Sequence, residues 1–194
     1  MSRRSTATIC CLVLLAVSSG HAACIDIDPG PIVPVPPPCA GYTPLDITYV
    51  VDSLEDLTDM IGDPPASTYW ANGLESAAFR NYEADLGGTP SQATASAFNF
   101  GNAANAQAMF DDPQYGAIGV DVIDWPGTGP VRQFVFGDTG LFYFRERCLY
   151  CIMISPAPSG DATGLRCMAE AMLARIADVV DDESISWSVL KQRW

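Results

Sequence analysis

Histidine is almost absent from this 194-residue sequence. The single histidine, His21, falls within an N-terminal segment that has the features of a secretory signal peptide, so the mature chain would contain none. This absence excludes Ser-His and Cys-His nucleophile pairs, and it removes the commonest ligand of zinc and copper. We therefore predict no catalytic, cofactor-binding or metal-binding residue and no cofactor. Any catalysis would depend on carboxylates, thiols, hydroxyl groups or arginine.

Basic residues are also few, with ten against 23 acidic residues. Two of the ten, Arg3 and Arg4, lie in the signal-like segment, and Lys191 is the only lysine. A surface this acidic repels phosphate backbones and anionic headgroups, which argues against nucleic acid and membrane surfaces as partners. A protein partner or a small-molecule ligand is the remaining expectation.

The N-terminal segment predicts export. Two arginines precede an apolar run at residues 9–17, and small residues follow it. This order predicts a signal peptide over residues 1–22, because the apolar run is too short to span a bilayer. We expect a secreted or periplasmic protein with no integral membrane segment after cleavage. A lipoprotein anchored at Cys24 is the alternative, but His21 stands where such a signal has an aliphatic residue.

The cysteines that follow the predicted signal are odd in number, and they suit an oxidising compartment. The candidates for disulfide bonds are Cys24, Cys39, Cys148, Cys151 and Cys167. We expect Cys24 to pair locally with Cys39, and Cys167 to bridge the last helix to a central strand. Cys148 is slightly favoured over Cys151 as the partner of Cys167, because its face of the strand carries more branched and aromatic residues. If Cys24 carried a lipid, the other four could all pair.

The motif Cys148-Leu149-Tyr150-Cys151 admits three interpretations: two structural half-cystines, a redox pair, or half of a metal site. A redox pair needs its first sulfur at a helix N-terminus, where the helix dipole stabilises the thiolate. Here the motif lies in an apolar strand, in which residues three apart point to opposite faces. The sequence therefore favours structural disulfides.

Composition divides the chain into four parts. Six prolines between Pro29 and Pro38 favour an extended polyproline II conformation over a helix or an inner strand. We predict a signal peptide over residues 1–22, a proline-rich tail or spacer over 23–40, a single globular domain over 41–183, and a C-terminal tail or edge strand over 184–194.

Hydrophobic periodicity predicts a mixed fold. Helices are expected over residues 54–61 and 67–72, from Asn102 or Asn105 to residue 110, and over 165–179. Strands are expected over residues 77–82, 93–100, 118–123, 131–136, 141–144 and 148–154, and residues 46–51 form a short strand or the approach to a helix. The order predicts an α+β fold in which helices cover one face of an antiparallel sheet, with two strand–strand–helix units at 77–110 and 141–180.

Several apolar motifs resemble those of an uncharacterised family of secreted bacterial proteins. The motifs are Leu57…Ile61-Gly62, Tyr69…Gly73-Leu74, Phe98-x-Phe100-Gly101 followed by Ala106 and Phe110, and Phe142-Tyr143-Phe144-Arg145. The resemblance covers residues 50–180, and the chain departs from the family pattern at Asp63 and Pro64, where small residues are usual. It implies secretion and the α+β fold, and it brings no activity, ligand or site residue.

The sequence thus predicts a secreted or periplasmic, non-enzymatic domain that binds a protein partner or a small ligand. The alternative is a histidine-free enzyme, either a carboxylate-based hydrolase or a thiol redox protein. An apolar pocket with converging polar groups would favour binding, whereas two buried acids facing one cleft would favour an enzyme.

Overall fold

The computed structural model describes residues 27–35, 37–86 and 90–191, and for residues 159 and 180–191 it describes only the backbone. The predicted signal peptide and Cys24 lie outside the described residues.

An antiparallel sheet of eight strands forms the centre of the molecule. The strands are β1 (Tyr42–Pro44), β2 (Tyr49–Val51), β3 (Ser76–Ala84), β4 (Ser91–Asn99), β5 (Val120–Asp121), β6 (Val131–Phe136), β7 (Thr139–Glu146) and β8 (Leu149–Pro156). Their order across the sheet is β1-β3-β4-β8-β7-β6-β5, and β2 pairs with β3 on the same side as β1. The predicted α+β class is confirmed.

Four helices pack on this sheet: α1 (Leu54–Ile61), α2 (Pro65–Ala71), α3 (Ala103–Phe110) and α4 (Thr163–Lys191). The side chain of Ser53 accepts a hydrogen bond from the backbone N–H of Asp56 and caps α1. Asn102 caps α3 in the same way through the N–H of Asn105. The two predicted strand–strand–helix units are present as β3–β4–α3 and β7–β8–α4.

Both faces of the sheet are buried, so the expectation that helices cover only one face is corrected. Helices α1, α2 and α3 pack with Tyr143 and Tyr150 on one face, while α4 packs with Phe144 and Leu149 on the other. The physical reason is that β7 and β8 are apolar at successive positions, which gives the sheet two apolar faces to cover.

Helix α4 covers the face of β8 that carries Leu149, Cys151 and Met153. The larger number of branched and aromatic residues on the other face of β8 predicted that α4 would cover that face. This prediction is wrong, because α1–α3 cover that face instead. The backbone remains helical as far as Lys191, so residues 184–191 do not form the predicted edge strand.

The proline-rich segment is part of the domain rather than a spacer outside it. Ile32 and Val33 are buried on the α4 face of the sheet. The Tyr82 hydroxyl donates to the carbonyl of Pro34 at 2.8 Å. The Arg175 guanidinium donates to the carbonyls of Pro31 and Val35. This stretch belongs to no strand, so its carbonyls have no ladder partner, and side chains of β3 and α4 donate to them instead.

Candidate functional site

Large apolar side chains are exposed along one border of the sheet, which we call the apolar edge. Its residues are Leu45, Ile47, Tyr49, Val50 and Leu54. Ile47 is 70% exposed, Leu45 54% and Val50 53%. Single exposed apolar residues are common on protein surfaces, but five within residues 45–54 form the kind of concentration that marks an interaction site.

A bulge in the chain places two of these side chains outside the sheet. The N–H of Leu45 bonds to the carbonyl of Asn81, and Tyr49 is already opposite Phe79, so residues 46–48 all lie opposite Arg80. Because these three residues lie opposite a single residue of β3, they must bulge out of the hydrogen-bond ladder. This bend leaves Leu45 and Ile47 without neighbours in the core.

Polar side chains fix this bulge from the inner side. The Asp46 carboxylate accepts hydrogen bonds from the backbone N–H of Asn81 at 3.2 Å and from its side-chain amide at 2.9 Å. The Thr48 hydroxyl accepts from the Arg80 guanidinium at 3.1 Å. The exposure of Ile47, which lies between these two residues, therefore follows from hydrogen bonds of its neighbours.

Strand β2 exposes apolar side chains to both faces because it lies at the border of the sheet. Tyr49 and Val50 are successive residues and so point to opposite faces, yet both are exposed. Among the described residues no strand pairs with the outer side of β2. The apolar edge thus wraps around the border of the sheet.

Acidic residues are interspersed in the sequence with those of the apolar edge. Residues 45–63 contain no lysine or arginine and six acidic residues, which are Asp46, Asp52, Glu55, Asp56, Asp59 and Asp63. The Asp56 carboxylate accepts a hydrogen bond from the Ser53 hydroxyl at 2.6 Å. Glu55 and Asp56 also complement the positive N-terminal end of the α1 dipole. The surface is therefore both apolar and negative.

A cleft of about 520 Å³ beside Arg132 lies near β5 and β6, at the border of the sheet opposite the apolar edge, and charged residues line it. The Arg132 guanidinium donates to the carbonyls of Phe110 and Gly116 at 2.9 and 3.0 Å, and it approaches Asp111 at 3.6 Å and Asp121 at 3.3 Å. It also lies 4.3 Å from the centre of the Phe110 ring. These contacts fasten the segment after α3 to β6, so the arginine has a structural role.

A second cleft, of about 400 Å³, lies between the loop of residues 124–130 and α4. The Glu146 carboxylate on its wall accepts from the N–H groups of Thr128 and Gly129 at 2.8 and 3.1 Å, and from the Thr128 hydroxyl. Within the described part of the chain, Glu146 is the only buried acid. The pair of buried acids that a carboxylate-based hydrolase requires is therefore not found in this part.

The disulfide candidates are connected differently from the prediction. Cys39 pairs with Cys167, which joins the proline-rich segment to α4 across a sequence separation of 128 residues. The expected pairs Cys24–Cys39, Cys148–Cys167 and Cys151–Cys167 are therefore wrong. The reason is that the proline-rich segment packs against α4 and brings Cys39 to it, which a detached spacer would not do.

The CxxC motif does not form a redox pair. Cys148 is disulfide-bonded, whereas Cys151 is a free and fully buried thiol. Burial, with a smaller contribution from the Glu146 carboxylate, raises the pKa of Cys151 well above its usual range. A reactive thiol needs exposure and a lowered pKa, so Cys151 has the properties of a structural cysteine.

Comparisons with protein-family models, curated proteins and solved structures found no match to this chain. The described residues contain no group of histidine, cysteine, aspartate or glutamate side chains placed to hold a metal ion. No helix in the described ranges is long and apolar enough to cross a membrane.

The sequence analysis did not identify the apolar edge. The only local signal was the composition of residues 46–51, which predicted a short strand or the approach to a helix. A strand of that composition is equally suited to the interior of a sheet, so its position at the border could not be inferred.

Proposed function

We propose that this protein is a secreted or periplasmic, non-enzymatic domain that binds a protein partner through its apolar edge. The observation that carries the proposal is the exposure of Leu45, Ile47, Tyr49 and Val50 along one border of the sheet, and of Leu54 at the start of α1 three residues after β2. Fully burying an exposed side chain of this kind is worth about 1.5–3 kcal/mol. Because these five are only 37–70% exposed, each would contribute roughly half of that against a partner, before the costs of association are subtracted. Five of them supply the apolar centre that a specific interface needs.

The disulfide between Cys39 and Cys167 supports an extracytoplasmic location. Structural disulfides form and persist in oxidising compartments, and they are rare where thiol reductants are abundant. Together with the signal peptide predicted over residues 1–22, it favours a partner that is itself exported or exposed at a cell surface.

Site-specific photocrosslinking in the native host tests this proposal. Benzoylphenylalanine would be placed at Ile47 in one variant and at Ile123 in the other, because Ile123 is 81% exposed but lies away from the apolar edge. We expect a discrete crosslinked product from position 47 and none from position 123. Added purified wild-type protein should compete for this product, and the Ile47→Ser protein should not.

Three results would contradict the proposal: equal crosslinking from both positions, no product from position 47, or competition by Ile47→Ser as strong as that of wild type. A small molecule that copurifies with the protein, and whose release is unaffected by Ile47→Ser, would instead support ligand binding elsewhere.

A further inference from the structure

We infer that the partner presents a basic surface with apolar side chains to the apolar edge. This inference rests on the proposed function and specifies the chemistry of the partner. Its basis is the combination at one border of exposed apolar side chains and uncompensated negative charge.

The charge around the apolar edge has one sign. Asp52, Glu55 and Asp59 are exposed, and none has a basic residue near it in the chain between residues 45 and 63. Among the described residues, no ion pair involves these three acids; Arg80 donates to Thr48, and Arg175 donates to the carbonyls of Pro31 and Val35. Glu55 and Asp59 are one helical turn apart, within the screening length of about 8 Å at physiological ionic strength, so their charges add and favour a cationic partner.

The same charges argue against a second copy of this chain as the occupant. A symmetric dimer would bring the same surface patch of both copies together. Asp52, Glu55 and Asp59 of one copy would then meet the acidic residues of the other, and like charges opposed across an interface are unfavourable.

The shape of the border indicates contact through side chains rather than through a long added strand. Pro44 lacks an N–H, residues 46–48 bulge out of the ladder, and β2 has only three residues. Each of these features limits the backbone hydrogen bonds that an incoming strand could form. The partner therefore contacts Ile47, Tyr49 and Val50 mainly with its own apolar side chains, and its cations contact the surrounding acids.

Peptide binding to the mature, oxidised protein tests this inference. The probes are two fluorescent peptides with the same apolar residues, alternating with lysine in one and with glutamate in the other. Anisotropy at about 0.15 M salt should show binding of the lysine peptide only. Ile47→Ser should weaken this binding about tenfold, while the matched variant Ile123→Ser should change it less than about twofold.

A second pair of variants separates local from overall charge. Asp52→Asn/Glu55→Gln/Asp59→Asn and Asp124→Asn/Asp138→Asn/Asp178→Asn each remove three exposed negative charges, so their net charges are equal. The first variant should weaken binding of the lysine peptide about fivefold, and the second should leave it within about twofold of wild type. Circular dichroism and thermal unfolding verify that all variants are folded.

The inference is overturned if the glutamate peptide binds as tightly as the lysine peptide, if neither binds, or if the two triple variants weaken binding equally. In each case the proposed function is still tested separately, by the crosslink from position 47. Concentration-dependent dimerisation that Ile47→Ser abolishes would assign the apolar edge to self-association and overturn the inference as well.

Discussion

Glu146 shows how a single residue organises the loop of residues 124–130. Its carboxylate is buried. It accepts hydrogen bonds from the backbone N–H groups of Thr128 and Gly129 and from the Thr128 hydroxyl. Gly127 lets the loop backbone approach both Glu146 and Trp125 closely. A Cβ atom at this position would lie 3.0 Å from the Glu146 carboxylate and would overlap the indole nitrogen of Trp125. The loop therefore depends on one acid, although its sequence, rich in proline and glycine, would suggest a flexible connection.

Replacing Glu146 should destabilise the protein without affecting partner binding. We expect Glu146→Ala to lower the free energy of unfolding by about 2–3 kcal/mol, because three donors lose a charged acceptor. Glu146→Gln should cost less, since one amide oxygen can still accept. The matched control is Glu170→Gln, which affects only an exposed pair with Arg166 and should cost less than about 0.5 kcal/mol. Urea denaturation measures all three, and an effect of Glu146→Ala no larger than the control would refute this role.

At the scale of elements, the proline-rich segment acts as a fifth covering element beside the four helices. It shares the α4 face of the sheet, where Ile32 and Val33 are buried, and Cys39 attaches its end to α4. Arg175 adds hydrogen bonds from α4 to the carbonyls of Pro31 and Val35, both at 3.2 Å. The segment and the helix therefore stabilise one another.

Removing that link should cost a large share of the stability. The disulfide closes a loop of 128 residues, and the chain-entropy argument gives an upper value of about 5 kcal/mol for loops of this size. We expect the double variant Cys39→Ser/Cys167→Ser to lose about 3–4 kcal/mol in urea denaturation. A loss below about 1 kcal/mol would show that packing alone holds the segment.

Non-reducing peptide mapping is the control for this experiment. It should find Cys39 joined to Cys167 in the wild type and a single free thiol at Cys151. Cys148 is disulfide-bonded as well. Its expected partner is Cys24, because the two other remaining cysteines belong to the predicted signal peptide. Recovery of a Cys148–Cys151 peptide would contradict this connectivity and restore the redox interpretation.

At the scale of the whole molecule, the core contains many groups that resist ionisation. Burial raises the pKa of the Cys151 thiol and of five tyrosine side chains, which are Tyr42, Tyr69, Tyr82, Tyr143 and Tyr150. The folded state thus favours their neutral forms. Their contribution to stability is fully present below the pKa values of the unfolded chain, and it is lost as the pH rises above them.

Stability should therefore fall on the alkaline side. We expect the urea midpoint to decrease steadily above about pH 9, since unfolded cysteine and tyrosine ionise near pH 8.5 and 10. Absorbance of tyrosinate, followed with circular dichroism, should show these tyrosines ionising together with unfolding. Tyr82→Phe should have a shallower dependence on pH than wild type above pH 10. Tyrosine ionisation near its ordinary pKa in a protein that stays folded would contradict the prediction.

The sequence by itself determined the local elements. It predicted α1 and β6 with the observed bounds, because periodicity and turn residues act within a few positions of the chain. The tertiary structure decided which helix covers which face, which cysteines pair, and which apolar residues stay exposed. Both faces of β7 and β8 are apolar, so local pattern could not assign the helices to faces. The pairing of Cys39 with Cys167 and the exposure of Ile47 depend on contacts between distant parts of the chain, and a local pattern contains no information about such contacts.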